Sequence, residues 1–416
     1  MPTTTVHNPD QYMADLRQML SQGRKRIGIF IGAGAPTAIR VGDDDQIVTQ
    51  GGRPLIPDVK GLTTTVIENL SQTDRQVVDA LKRDMQKPIN IETILTKTRQ
   101  LAQAIGSSSI HDYDGNAYDQ LSDRICKAIG AQVRPQLPSN PNPYSDLVSW
   151  ISGTQRLHSV EIFTPNYDLL LEDAFERARI PFFDGFTGSH RPFFDPVSVL
   201  SDDLPSRWSR LWKLHGSIGW AVSGDSVIRT DDRRSTNLIY PEHRKYDQAT
   251  RLPFSALFER LRQFLTTPDT LMICSGFSFA DAHISAVMDE SLAANAHTAV
   301  LAFQYKQLAE EEPAATIARS RPNISVYAKD GAVINGIPGP WRLGQTPSSD
   351  WQHIRGTFWG RKSPQSSDAF LLGDFAMLTT FLALIQAREV TASDSAKTMA
   401  VGKATENFID QGSLDA

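Results

Sequence analysis

The sequence predicts an α/β protein built on a doubly wound parallel sheet. Three observations carry this. Apolar runs of strand length, such as Ile27-Gly28-Ile29-Phe30-Ile31 and Leu271-Met272-Ile273-Cys274, break off into glycine-rich or polar residues. Stretches with apolar residues at helical spacing follow them, the alternation that a parallel sheet with crossover helices requires. The strand-to-polar-loop transition recurs, and in open α/β sheets such junctions lie at the carboxyl ends of strands, where ligands bind.

Composition sets the bounds. The chain has 416 residues, enough for one large domain with insertions or for two. Its net charge of −5 gives no reason to expect direct nucleic-acid binding. Two cysteines, Cys126 and Cys274, exclude a disulfide scaffold and a cysteine-rich zinc site, and suit a reducing cytoplasm. The N-terminus has no apolar core of a signal peptide, and no run has the roughly 20 apolar residues of a membrane helix. A soluble cytoplasmic protein without membrane contact is the expectation.

In chain order, a helix from Gln11 to Ser21 precedes the strand that ends at Gly32-Ala33-Gly34. Two glycines in a strand-to-helix turn let backbone N–H groups approach a phosphate, with a helix N-terminus behind them. The dinucleotide pattern asks for a third glycine where Thr37 stands, so a tight turn without a ligand explains these residues equally well. Val41 to Gly52 reads as an exposed loop leading into the rigid turn Leu55-Ile56-Pro57-Asp58, beside the glycine loop. Helices are expected at Leu62–Leu70, Asp74–Met85, Ile91–Ile105 and Tyr118–Val133, with no strand among them: a helical module inserted into the sheet.

The sheet pattern resumes at Val160. The run Ile162-Phe163-Thr164-Pro165-Asn166-Tyr167-Asp168 passes from strand through turn to helix. Asn166 and Asp168 suit a ligand crevice, although taken alone they also suit a helix cap. Trp212-Lys213-Leu214 ends in His215-Gly216-Ser217, a helix spans Phe254–Phe264, and the strand ending at Cys274 opens into Ser275-Gly276-Phe277-Ser278. A helix over Asp281–Ala294 and strands at Ala299–Phe303 and Ile324–Tyr327 complete the sheet. Beyond Gly331 the residues read as loop, then as a helix from Phe370 to Arg388 that is apolar on more than one face. Cys274 reads as a small core residue, Asp281 and His283 as a helix cap and its neighbour, and the scattered tryptophans as packing.

Taken in order, Gly32-Ala33-Gly34, Ile56-Pro57-Asp58, Thr164-Pro165-Asn166-Tyr167-Asp168, Lys213-Leu214-His215-Gly216-Ser217 and Gly276-Phe277-Ser278 form a set. This set resembles the sirtuins, and specifically the sirtuin-like NAD-consuming domains of bacterial antiphage defence systems, over residues 25 to 330. Asp184-Gly185-Phe186 is similar to the bacterial branch. One departure is Ala35-Pro36 in place of the usual serine after the glycine turn, which leaves Thr37 as the candidate for that hydroxyl contact.

The resemblance implies a Rossmann-like NAD-binding domain over 1–58 and 158–335, an inserted helical module over 59–157 and a C-terminal extension over 336–416. It implies Asn166 and His215 as catalytic residues. Contacts to NAD+ would come from Gly32, Ala33, Gly34, Thr37, Asp58, Thr164, Asp168, Gly216, Ser217, Gly276 and Ser278, with the adenine end near Lys329-Asp330-Gly331. NAD+ is then a substrate, and no metal is implied.

Cleavage of the nicotinamide–ribose bond passes through an oxocarbenium-like transition state. Because nicotinamide leaves neutral, the site must fix the ribose and present a nucleophile more than supply a strong acid. An asparagine can hold a ribose hydroxyl and orient water, and a histidine can take a proton near neutral pH. A histidine satisfied by backbone is the plain alternative for His215, and its place between an apolar strand and Gly216-Ser217 favours the catalytic role. The leading reading is an NAD+ hydrolase that depletes NAD+ in antiphage defence. An NAD-dependent deacylase or ADP-ribosyltransferase is the second, against which stands the absence of four cysteines for the zinc module of deacylating sirtuins. A non-catalytic sensor of NAD+ or ADP-ribose is the third. By resemblance the chain is expected to form a homo-oligomer and to pair with a HerA-type ATPase. Elemental analysis of the purified protein is expected to return no stoichiometric zinc.

Overall fold

A computed structural model describes residues 5–48, 51–86, 89–153, 156–223, 226–230, 252–345, 351–361 and 367–386. Nine strands form its main sheet: β1 (Arg26–Ile31), β2 (Glu161–Thr164), β3 (Phe182–Phe183), β4 (Ser209–Lys213), β5 (Thr270–Ser275), β6 (Ala299–Phe303), β7 (Ile324–Tyr327), β8 (Gly331–Ile334) and β9 (Ile337–Pro340). Their order is β9-β8-β7-β6-β5-β1-β2-β4-β3, parallel from β7 through β3, with β8 and β9 antiparallel at the edge. This is a Rossmann-like α/β fold.

The central strands are apolar on both faces because helices cover both. Ile27, Ile29 and Ile31 of β1 join Ile162, Leu211, Leu271 and Ile273 in one core. Met13 and Leu16 of the helix Pro9–Ser21, Leu147 and Ile151 of Pro143–Gly153, and Leu171 and Phe175 of Leu170–Ala178 belong to the same core. Phe30 points the other way, with Phe163, Trp212, Met272 and Cys274, onto the helices Phe254–Thr266, Ala282–Ala294 and Glu312–Ser320. The period-two alternation of a strand produces this division.

The region from 59 to 153 is helical, as expected: Val59–Glu68, Gln72–Asp84, Ile91–Ala104, Gly115–Gln132 and Pro143–Gly153. Asp58, Ser71, Asn90 and Asp114 each cap the following helix through a side-chain oxygen. The last of these helices packs on Leu170–Ala178 of the sheet layer. No helix of the described residues is long and apolar enough to cross a membrane.

Two expectations fail. The residues after Gly331 are the hairpin β8–β9, turning at Asn335 and Gly336 with φ of 52° and 79°. An Asn-Gly pair at positive φ is the two-residue turn that joins twisted antiparallel strands. The expected helix from Phe370 begins at 375 instead, because Ala369–Phe370 pairs with Trp359–Gly360 and Asp374 accepts from Ala376 N at 3.0 Å, capping the helix over 375–386. Arg388 lies outside the described residues. Phe375, Leu378, Phe381, Leu382 and Ile385 of this helix are buried in the chain's own core, Phe375 edge-on to Tyr144 at 5.1 Å. Its apolar faces are therefore used within the chain.

At the end of the sheet remote from the polar loops, buried Glu161 accepts from Arg260 Nε at 2.8 Å and from Trp212 Nε1 at 2.7 Å, with Arg210 at 3.4 Å. Two arginines and one indole share one carboxylate across two strands and a helix. Arg210 and Arg260 also reach the half-exposed Asp202 carboxylate, at 3.0 and 2.8 Å, which keeps part of their pairing when Glu161 is lost. Glu161→Ala is expected to lower the unfolding free energy by up to about 3–5 kcal/mol in chemical denaturation, the range for breaking a buried pair.

Candidate functional site

Strand order reverses at β1. The chain leaves β1 for β2, β3 and β4 on one side, then returns to β5, β6 and β7 on the other. The loops after β1, β2 and β5 thus open around one crevice at the carboxyl edge, the position at which doubly wound sheets bind ligands.

The glycine turn is held by backbone. Gly34 N donates to Gly276 O at 2.8 Å and Gly32 N to Ser275 O at 2.9 Å. A Cβ on Gly32 would strike the Gly276 carbonyl, and one on Gly276, whose φ is +65°, would strike the Ala35 amide. These glycines are needed for the approach of the β1 and β5 loops to each other, and the amides of Gly32 and Gly34 are spent on that contact. A phosphate at this turn would meet the half-buried Ala33 amide instead. The expected helix behind the turn is the single 3-10 turn Ala35–Ala38, in which Thr37 Oγ1 donates to Gly34 O at 2.6 Å. Pro36 removes one amide hydrogen there, so the dipole behind the glycines is that of one short turn.

The loop after β2 closes on the same turn. Thr164 is buried, donates through Oγ1 to Ile31 O at 2.7 Å and accepts from Asn166 N at 3.0 Å. Asn166 Nδ2 donates to Gly32 O at 3.2 Å, which orients the carboxamide and leaves Oδ1 with no acceptor role toward any described residue. Asp168 is buried and accepts from Leu170 N at 3.0 Å, so it serves the helix start. Burial pushes its carboxyl above the ordinary carboxylate range, and nearby Lys213 acts against that rise.

Lys213 itself is buried at the end of β4, its ammonium donating to Asp168 O and to Glu172 Oε1 at 2.8 Å. Fully buried Tyr144 lies near both carboxylates, and desolvation raises its hydroxyl well above the usual phenol range. Lys213 thereby joins the β4 loop to the β2 loop, as do the bonds from Leu214 N to Thr164 O at 2.8 Å and Ile218 N to Tyr167 O at 3.0 Å.

His215 follows in that loop, only 6% exposed, between the rings of Tyr167 and Phe258 with centroids 6.4 Å away in each case. Its Nε2 stands 3.3 Å from Asp281 Oδ2. Gly216 takes φ of +87°, and buried Ser217 accepts from Gly219 N at 3.2 Å. Beside them a shallow depression, with room for little more than a water molecule, is lined by Gly216, Ser217, Trp220 and Phe254.

On the other flank the β5 loop runs through Gly276 to Phe279, a bulky residue at φ of 58°, whose carbonyl accepts from Ser285 Oγ at 2.9 Å. Gln304 Nε2 donates to Phe277 O at 2.9 Å from the end of β6. Ser278 and Asp58 are both exposed, Asp58 as the N-cap that accepts from Gly61 N at 2.7 Å. The Asp58 turn stays beside the glycine loop through Leu55 N, which donates to Ile39 O at 2.9 Å. Asp330, near the expected adenine end, accepts from Leu308 N at 2.8 Å.

Residues 160–326 match the family model of the SIR2-like domain. Over these residues the chain is similar to a SIR2-like domain. No curated protein matches the chain. The match starts at β2 and ends in β7, so it takes in Asn166, His215, Gly276 and Asp281 and leaves out the glycine turn after β1. Domains of this family act on NAD, and the match suggests an NAD-related activity in that general sense.

The sirtuin-like site contains residues that sequence reading did not assign. Asp281 was legible as a helix cap, and it is one: Oδ1 accepts from His283 N at 2.9 Å and Ile284 N at 3.0 Å. Its approach to His215 joins loops 66 positions apart and has no local sign. Lys213, Glu172 and Tyr144 are likewise joined only by the fold. Cys274 is buried in β5, where burial pushes its thiol far above the ordinary value. Among the described residues no three His, Cys, Asp or Glu side chains are grouped to hold a metal.

Gly276→Ala places a side chain at positive φ against the Ala35 amide. Differential scanning fluorimetry is expected to show a loss exceeding the roughly 1–2 kcal/mol of left-handed strain alone. Gly356→Ala, in the helix Trp351–Phe358 with open space around its Cα, is expected to be neutral or stabilising by up to about 1 kcal/mol.

Proposed function

We propose that the chain is an NAD+ glycohydrolase that releases nicotinamide and ADP-ribose. The observation that carries this reading is an oriented carboxamide and a buried histidine on adjoining loops at the carboxyl edge of the sheet. Asn166 is tied through Nδ2 to the Gly32 carbonyl, and its Oδ1 is available to a ribose hydroxyl or a water. His215 stands on the adjoining loop with the Asp281 carboxylate beside it.

In the proposed reaction the C–N glycosidic bond breaks with its electron pair leaving on nicotinamide, which departs neutral. Water adds to C1′ of the ribose, and its proton passes to His215 and then to solvent. Asn166 Oδ1 would align the ribose or the water, and His215 would take the proton, each a contribution that positioned groups make in glycoside chemistry. The Ala33 amide, Thr164 and Gly216 would contact the dinucleotide, with Gly32, Gly34 and Gly276 shaping the turn. Asp168 and Ser217 would support the loops, and Thr37, Asp58 and Ser278 would lie at the rim.

Water is favoured as the acceptor because both cysteines are buried and lie in different elements, so they cannot form the zinc module of peptide-deacylating sirtuins. A deacylase or ADP-ribosyltransferase is the second reading, separated from the first by its need for an acceptor other than water. Use of the activity in antiphage defence by NAD+ depletion, as a homo-oligomer or with a HerA-type ATPase, rests on the resemblance. The buried helix over 375–386 adds nothing to it.

Incubation with NAD+ and chromatographic separation of products is expected to yield nicotinamide and ADP-ribose in equal amounts without a peptide. Products that require an acylated or acceptor peptide would instead select the second reading, and NAD+ bound but unchanged would select a sensor. Asn166→Ala and His215→Ala are each expected to lower turnover about 10²–10⁴-fold while the proteins remain folded.

A further inference from the structure

We propose that Asp281 is the positioning residue for His215: its carboxylate fixes the ring with the proton on Nε2 and stabilises the imidazolium formed when the ring takes a proton. The inference deepens the NAD+ glycohydrolase reading and rests on it.

The geometry divides the two oxygens of one carboxylate between two tasks. Oδ1 accepts the amides of His283 and Ile284 at the start of the helix Ala282–Ala294. Oδ2 is 3.3 Å from His215 Nε2. Capping needs one oxygen, and asparagine or serine would cap as well as aspartate. Capping alone therefore gives no reason for a second, anionic oxygen to face a histidine that is 6% exposed. The capping bonds also hold the carboxylate still, since the backbone amides of a helix buried on one side fix its plane. At 3.3 Å the pair is an ion-pair contact rather than an aligned hydrogen bond, and it is expected to tighten into a charge-assisted one when the ring becomes cationic.

The chemical consequence concerns which nitrogen works. A neutral imidazole carries one proton, and its tautomer follows the hydrogen bond its other nitrogen makes. A carboxylate facing Nε2 favours the proton on that nitrogen, and in the proposed tautomer Nδ1 is the base. When Nδ1 takes a proton from water or a ribose hydroxyl, the ring becomes a cation in a buried place, and Oδ2 is the charge that meets it. An amide there would present either an N–H, which selects the opposite tautomer, or an uncharged oxygen.

Two measurements test this. First, long-range 1H–15N NMR of the wild-type protein with labelled histidines, at a pH where the ring is neutral and with His215→Ala to assign the resonance, reads the tautomer directly. Protonated Nε2 is the expected result, and protonated Nδ1 would overturn the proposal whether or not the protein cleaves NAD+. Second, Asp281→Asn keeps the cap and removes the charge. We expect an unchanged melting temperature and KM with kcat reduced by about 10²–10⁴-fold, the scale seen when a base is held in the wrong tautomer. Retention of wild-type kcat by Asp281→Asn would overturn it. A wild-type enzyme that leaves NAD+ intact would count against the glycohydrolase reading alone, because the ring measurement still decides the role of Asp281.

Discussion

The turn after β1 and the turn after β5 touch through backbone atoms, and the crevice takes its shape from that contact. Gly34 donates to the Gly276 carbonyl, and neither Gly32 nor Gly276 has room for a Cβ. Side chains at these positions would separate the loops by the thickness of a methyl group or more. The Asn166 carboxamide, which binds the Gly32 carbonyl, would lose its anchor, and Asp281, five residues beyond Gly276, would move away from His215. The sheet supplies the register for this, since Ile31 pairs with Ser275 in the last rung before both turns.

This contact changes the meaning of the glycines. A Gly-Ala-Gly after a strand reads as a phosphate cradle because a bare backbone can approach a ligand. Here the bare backbone first approaches another backbone, and only Ala33 keeps an amide for a guest. The glycine turn thus serves the ligand site by holding two loops together.

Much of the fold was legible because its signals are local. The apolar runs of β1, β5, β6 and β7 have strand length, and the helices from 59 to 132 carry period and caps. The hairpin β8–β9 was missed although Asn335-Gly336 announces it, since Pro338, Gly339 and Pro340 mask the alternation that marks a strand. The strand at Ala369–Phe370 is two residues long, below the reach of any periodicity. At the site, Asn166 and His215 stood out by their strand-end positions. The residues that the fold brings into these loops did not: Asp281 looks like a cap, Lys213 like the polar end of a strand, and Glu172 like the first turn of a helix. Each does have that local role, and the second one exists only when distant segments meet.

The position of β1 also governs when the molecule can exist during its own synthesis. Arg26 pairs with Thr270 on one side and Gly28 with Glu161 on the other, so an early strand waits for most of the sheet to be made. A nascent chain displays β1 as an apolar ribbon with both edges open, while the helices between 59 and 153 can already form from neighbouring contacts. Pairings this far apart in sequence close slowly and leave the ribbon exposed meanwhile. The same delay keeps the crevice unassembled, because the Gly276 and Asp281 loop leaves the ribosome after the glycine turn, Asn166 and His215.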